Sequence, residues 1–421
     1  MPDPSGARSR VAAALAHQTP DRVPVDFGST SVSGIHVSCV AALRRHYGLQ
    51  PAAVKVIDPG AMLGEIAPDL QLAMGIDTEG IRPRSVRFGF PAAGWKPWRL
   101  YDGTEVLVPG GFNVTIDANG DTLMHPRGDV TLPPSARMPK GGYFFDAIIR
   151  QQAFEEDDLR PEDNLEEYGP VSDADLDHWE RVAGAARAAG RAVVASFGGT
   201  AFGDIALVPG VGLPNPKGIR DVTEWYMSIR SRRDFIHRVF DGQCEIALAN
   251  LERIAARVGD GVDVVNVCGT DFGTQKSSFC SVETFRELWL PYYRRINDWV
   301  HRRTNWKTFK HSCGAVSKFI PSFLDAGFDI LNPVQCSAAG MDPRELKAAY
   351  GGRMVFWGGG VDTQQVLPFG TPAEVRAQVL ERCEALAPGG GFVFNAIHCI
   401  QAGTPVANIV AMLDAVREFN G

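Results

Sequence analysis

No uninterrupted apolar run in this chain approaches the ~20 residues that a bilayer-spanning helix needs, so a helical membrane span is not expected. Nor is there a basic stretch interleaved with aromatics, and a formal net charge of -7 removes the electrostatic reason to expect nucleic acid. The eight cysteines, at positions 39, 244, 268, 280, 313, 336, 383 and 399 of 421 residues, show none of the even spacing that staples small secreted domains. They fit a reducing compartment. The opening 20 residues carry Arg8, Arg10 and several alanines, yet the apolar stretch at 11–16 is too short for a secretory core. A soluble cytoplasmic protein is expected, with a transit peptide as the alternative. Its partners would be small molecules or other proteins, and a homo-oligomer is left open.

What the sequence does contain is alternation. From about residue 174 onward, β-rich runs at 192–197, 262–267, 306–310, 328–332, 353–357 and 392–397 are separated by helical patterns at 222–258, 281–303, 316–326, 342–350, 371–387 and 405–419. That is the signature of parallel βαβ units. Ser281 and Thr371 supply hydroxyls of the kind that open helices. Six such units, with room upstream for a strand at 22–27, predict an α/β eight-fold barrel in a single domain spanning 1–421. No strand is followed by the Gly-x-Gly-x-x-Gly turn of a dinucleotide fold. Residues 84–130 read differently, with alternating aromatics and polars around Gly110-Gly111 and Asn119-Gly120, and are expected to form a β-hairpin insertion. Residues 155–178 are acidic and read as a solvated loop leading into a helix.

In a barrel of this kind the C-terminal ends of the strands share one pocket, so chemistry is sought just after each β run. His311-Ser312-Cys313-Gly314 follows one of them. Strand residues two apart point to the same face, so this imidazole and thiol can both reach a single metal ion. Other strand ends carry Gly198-Gly199-Thr200, Asp271 and Gln275 within 268–275, Asn332-Pro333-Val334-Gln335, Gly358-Gly359-Gly360 with Asp362, and His398-Cys399-Ile400-Gln401. Taken singly, each has a plainer reading. A Cys at a strand end is more often a small buried hydrophobe than a ligand, and three glycines are more often a tight turn than a phosphate cradle. Cys268, Cys280 and Cys383 are assigned to packing, and His17, His46, His178, His237 and His301 to helical or surface positions.

The series of segments is more specific than any member of it. Asp21-Arg22-Val23-Pro24-Val25-Asp26-Phe27, Asp271-Phe272-Gly273-Thr274-Gln275, Pro291-Tyr292-Tyr293, His311-Ser312-Cys313-Gly314, Asn332-Pro333-Val334-Gln335, Trp357 through Asp362 to Gln364, and Phe394-Asn395 through His398 to Thr404-Pro405 and Asn408 occur in this order. Together they resemble the uroporphyrinogen decarboxylase superfamily, and within it the branch of corrinoid-dependent methyltransferases. The resemblance implies a distorted TIM barrel, with an N-terminal extension. It also implies a zinc ion on His311, Cys313 and a third ligand from the last strand. At that place stand His398, which alignment favours, and Cys399, which would give the more usual two-sulfur set; Cys336 is a more distant candidate. Asp271, Gln275 and Asp362 are the catalytic candidates.

The implied reaction is zinc-dependent movement of a methyl group between a small methylated substrate, a methyl ether or similar, and the cobalt of a corrinoid (cobalamin), in the demethylase direction. The decarboxylases of the superfamily share an Arg-Gln-Ala-Gly-Arg-Tyr segment that holds propionates, whereas here Phe27 is followed by Gly28-Ser29-Thr30-Ser31-Val32-Ser33, without arginine. A decarboxylase-type lyase acting on a smaller acid is the alternative, and would need a cation in the pocket from Lys276, Lys310 or Arg353. Corrinoid carriers resemble one another in an Asp-x-His-x-x-Gly loop. No histidine here has an aspartate two residues before it, so the corrinoid is expected on a separate protein.

Overall fold

The computed structural model describes residues 6–421. Seven parallel strands, β1 (Thr78–Ile81), β2 (Ala192–Ala195), β3 (Val264–Cys268), β4 (Lys307–His311), β5 (Ile330–Asn332), β6 (Val355–Trp357) and β7 (Phe392–Val393), pair in chain order. Residues 24–26 close the ring. The Asp26 N–H donates to the Phe394 carbonyl at 2.9 Å, the Phe394 N–H to that of Pro24 at 2.8 Å, and the Asp77 N–H to that of Val25 at 2.8 Å. The eighth position therefore lies in the upstream segment anticipated at 22–27, and the architecture is a distorted TIM barrel. β1 was missed because four residues, Thr-Glu-Gly-Ile, carry no strand signal against Gly80 and its polar neighbours.

β2, β3, β5, β6 and β7 are mainly apolar and buried on both faces, as parallel strands are. Ala192, Val194, Val264, Phe309, Ile330, Val355, Trp357 and Val393 point inward, where Val11 and Ala14 of the helix Ala7–Leu15 pack against them. Alternate residues such as Val193, Val265, Val267 and Phe356 face the helices. Ser281 caps Val282–Leu288 through the Thr284 N–H, and Thr371 with Glu374 forms a capping box at Pro372–Leu386. Two expected helices are each broken in two. The pattern at 222–258 is interrupted at Arg232, whose guanidinium is drawn to Glu156 and Glu224. The pattern at 281–303 stops at Trp289, because Pro291 fits only the first turn of a new helix, Leu290–Arg303.

The insertion is wider than the hairpin placed at 84–130. Lys96–Arg99 and Glu105–Val108 do form an antiparallel pair, but Glu105–Val108 also pairs in parallel with Val54–Asp58, giving a four-stranded sheet with Leu63–Gly64. A second four-stranded sheet joins Val114–Ile116, Thr122–Met124, Ala136–Met138 and Asp146–Ala147. His36 ties this insertion to the barrel, its ring nitrogen Nε2 lying 3.1 Å from the Tyr143 carbonyl oxygen. Among the described residues no helix is long and apolar enough to cross a membrane.

Candidate metal centre

Phe309 and His311 share the inward face of β4, so the imidazole stands on the core at the C-terminal mouth of the barrel. The register of β4 against β5 sets His311 opposite Asn332. The Asn332 side-chain amide donates to the Trp357 carbonyl at 2.7 Å, which turns its Oδ1 toward His311 Nδ1, 2.6 Å away. A carbonyl oxygen there requires Nδ1 to carry the proton and leaves Nε2 free as a ligand, directed away from the core.

Three residues after His311 the chain turns at Gly314, whose φ of 88° and contact with Gly273 exclude a side chain. This close approach brings the Asp271 loop against the cysteine. Asp271 Oδ1 accepts the Cys313 N–H at 2.6 Å and lies 3.7 Å from His311 Nε2, while Cys313 Sγ is 3.4 Å from the same nitrogen. His398 enters from the loop after β7, held in place two residues later where Ile400 exchanges backbone hydrogen bonds with Gly34 and His36 at 2.9 and 2.8 Å. The His311 and His398 rings sit 5.5 Å apart, nearly edge to face. Donor atoms of His311, Cys313 and His398 all lie within 4.8 Å of one another.

Burial dominates the electrostatics. It lowers both imidazoles, His398 to about 4, and raises the Cys313 thiol well above its ordinary value, with Asp271 and Cys399 adding to the rise. The contact between His311 and Asp271 is therefore one between a neutral ring and a carboxylate, not an ion pair. Two nitrogens and one sulfur around a common point, with one second-layer amide fixing a tautomer, fit a zinc ion that keeps a fourth position open. The His311 to Cys313 separation suits adjacent ligands each about 2.0–2.3 Å from such an ion.

The remaining predicted residues are distributed unevenly. Cys399 is buried beside the group but outside it: its Sγ accepts from Gln401 at 3.1 Å, and burial pushes the thiol up to about 12. Cys336 packs under the β5 and β6 loops, its Sγ near the Val334 and Gly359 carbonyl oxygens. Gln275 is on the exposed rim, where its amide donates to Gln364 at 2.7 Å. Asp362 accepts the Gln364 and Gln365 N–H groups and so organises the next turn. Lys310 faces away from the barrel interior, donates to the Thr270 and His311 carbonyls at 2.6 and 2.5 Å, and lies over Phe272 and Phe323. Arg353 and Lys276 are exposed, the former at the base of β6. Three functional candidates went unread in the sequence: Asn332 as the orienting amide, Arg82, and Asp204. Asp204 lies too far beyond β2 to register as a strand-end residue, yet its carboxyl is raised by burial, with Asp271 adding to the rise.

The model of the uroporphyrinogen decarboxylase (URO-D) family matches residues 215–419, just under half of the chain, and over this C-terminal segment the chain is similar to that family. Among individual proteins, the uroporphyrinogen decarboxylase of Anaeromyxobacter dehalogenans (strain 2CP-C) is 27% identical over 188 residues, 44% of this chain and 48% of that protein. The chain thus spans about half the length of the curated relative it matches. A methyltransferase from Methanosarcina mazei has the same fold over 99% of both chains, with a TM-score of 0.54 at 16% identity.

Proposed function

We propose that the protein is a zinc-dependent methyltransferase that moves a methyl group between a small methylated substrate, a methyl ether or similar, and a corrinoid carried by a separate protein. The observation that carries this reading is the His311, Cys313 and His398 group with Asp271 against it, at the end of the barrel where such folds place their chemistry. The Methanosarcina mazei protein of like fold is a methyltransferase, which agrees with the reading. Bound zinc supplies Lewis-acid polarisation of a substrate oxygen or sulfur.

The chain's own residues do the rest. Asn332 holds His311 in the ligating tautomer, and Asp271 fixes the Cys313 backbone while presenting a carboxylate beside the open position. Asp204, shifted by burial toward its protonated form, is the group assigned to supply a proton to a leaving alkoxide. Gln275 and Asp362, linked through Gln364 on the rim, orient the substrate. Of the cations named for the decarboxylase alternative, Lys310 faces away, Lys276 is exposed on the rim and Arg353 lies at the opposite end of its strand. Metal analysis of protein purified without added zinc tests the reading. About one zinc per chain is expected, lost in Cys313→Ala; absence of zinc, or full retention in that variant, contradicts it.

A further inference from the structure

A cation stands at the C-terminal end of β1, the end of the barrel that also carries the metal centre. Arg82 follows β1 directly, on the same side of the strand as Thr78, whose hydroxyl donates to Asp26 inside the barrel at 2.7 Å. One guanidinium N–H donates to the Gly28 carbonyl, and no other acceptor among the described residues receives an N–H from this side chain. Asp58, Glu79, Asp26 and Glu65 surround it at longer range. Each is engaged elsewhere: Asp58 by the Gly60 and Ala61 N–H groups, Glu79 by Gln71, Asp26 by Thr78 and Trp357, and Glu65 by Lys55.

The charge of Arg82 is thus balanced from a distance, while its hydrogen-bonding edge is unclaimed. Burial lowers its guanidinium, and the residue as a whole is only partly buried. The Gly28 loop continues to Gly34 and His36, which hold the His398 loop at Ile400, and Asp58 acts on both Arg82 and Cys399. Arg82 and the metal ligands therefore share one mouth.

We propose that Arg82 binds a carboxylate of the substrate, so that the methyl donor is a small methylated compound carrying an acid group at the end remote from its methyl. The donor assignment rests on the methyl-transfer reading; the anion site itself does not. A planar carboxylate matches the flat guanidinium edge, and the four neighbouring acids oppose a dianion such as phosphate more strongly than a singly charged group.

Calorimetric titration of the full chain with 4-methoxybenzoate and its neutral analogue 4-methoxybenzamide tests this. The acid is expected to bind at least about tenfold more tightly than the amide. Arg82→Gln should remove that preference while leaving amide affinity within about twofold; if Arg82→Gln does not fold, Arg82→Lys, which keeps the charge without the fork, should show a reduced preference. Equal binding of the two probes, no binding of either, an unchanged preference in either variant, or displacement of the acid by equimolar inorganic phosphate overturns the proposal. If the preference holds in the wild type but no methyl reaches a corrinoid from any donor, the anion site stands and the methyl-transfer reading fails.

Discussion

Asn332→Leu is the substitution that most sharply separates a metal centre from a chance meeting of side chains. Asn332 is 1% exposed and satisfies two buried groups at once, the His311 Nδ1–H at 2.6 Å and the Trp357 carbonyl at 2.7 Å. Leucine has the same branched outline and number of heavy atoms but pairs with neither. Each orphaned group costs about 1–3 kcal/mol, so the variant should lose roughly 2–6 kcal/mol of stability by urea denaturation. Loss of the amide also frees the imidazole to turn and to change tautomer. Removing such an outer partner weakens metal binding by about 10–100-fold, or roughly 1.4–2.7 kcal/mol. Competition against a chromophoric chelator measures this on folded protein in dilute urea-free buffer. A folded Asn332→Leu protein that binds zinc as tightly as the wild type refutes the orienting role.

Other expectations follow from the same geometry. His398→Ala should lower zinc to well below one per chain, whereas Cys399→Ser should keep it, because Cys399 stands outside the ligand group; metal analysis reading the reverse would make Cys399 the third ligand. His36, 1% exposed and lowered from 6.5 to about 4 by burial, binds its proton less readily folded than unfolded. Its contribution is therefore fully present above about pH 6.5 and lost as pH falls toward 4, amounting to roughly 3 kcal/mol. Urea midpoints at pH 7 and pH 4.5 should differ less in His36→Gln than in the wild type, and equal differences would count against this assignment. Gly80→Ala should destabilise the protein and loosen the Gly28 loop, since an added Cβ would meet the Ser29 carbonyl oxygen at 2.2 Å; a denaturation midpoint unchanged from wild type would contradict that packing.

The C-terminal barrel was legible because its strands are buried on both faces and its helices are capped, so periodicity and punctuation agree from 192 onward. The His311 and Cys313 pair was suggested by a strand's period of two, but β4 ends at His311 and Cys313 is placed by the turn at Gly314 and its N–H bond to Asp271. What stayed hidden was contributed by long-range register. Asn332 acquires its role only when β5 is laid beside β4, and Arg82 only when the short β1 is recognised as a strand whose end faces the mouth. The choice between His398 and Cys399 could not be read from adjacency, since the strand ends at Val393 and the loop that follows is shaped by its hydrogen bonds to 34–36. The insertion was underestimated because its strands are two to five residues long and two of the four within 84–130 pair with strands outside it.

The central claim is most directly tested by following the absorbance of cob(I)alamin while a panel of methyl ethers, carboxylated and neutral, is added to the zinc-loaded protein. Conversion to methylcobalamin with at least one donor, abolished in His311→Ala, is the predicted result. No conversion with any donor, or conversion that survives His311→Ala undiminished, would contradict the account.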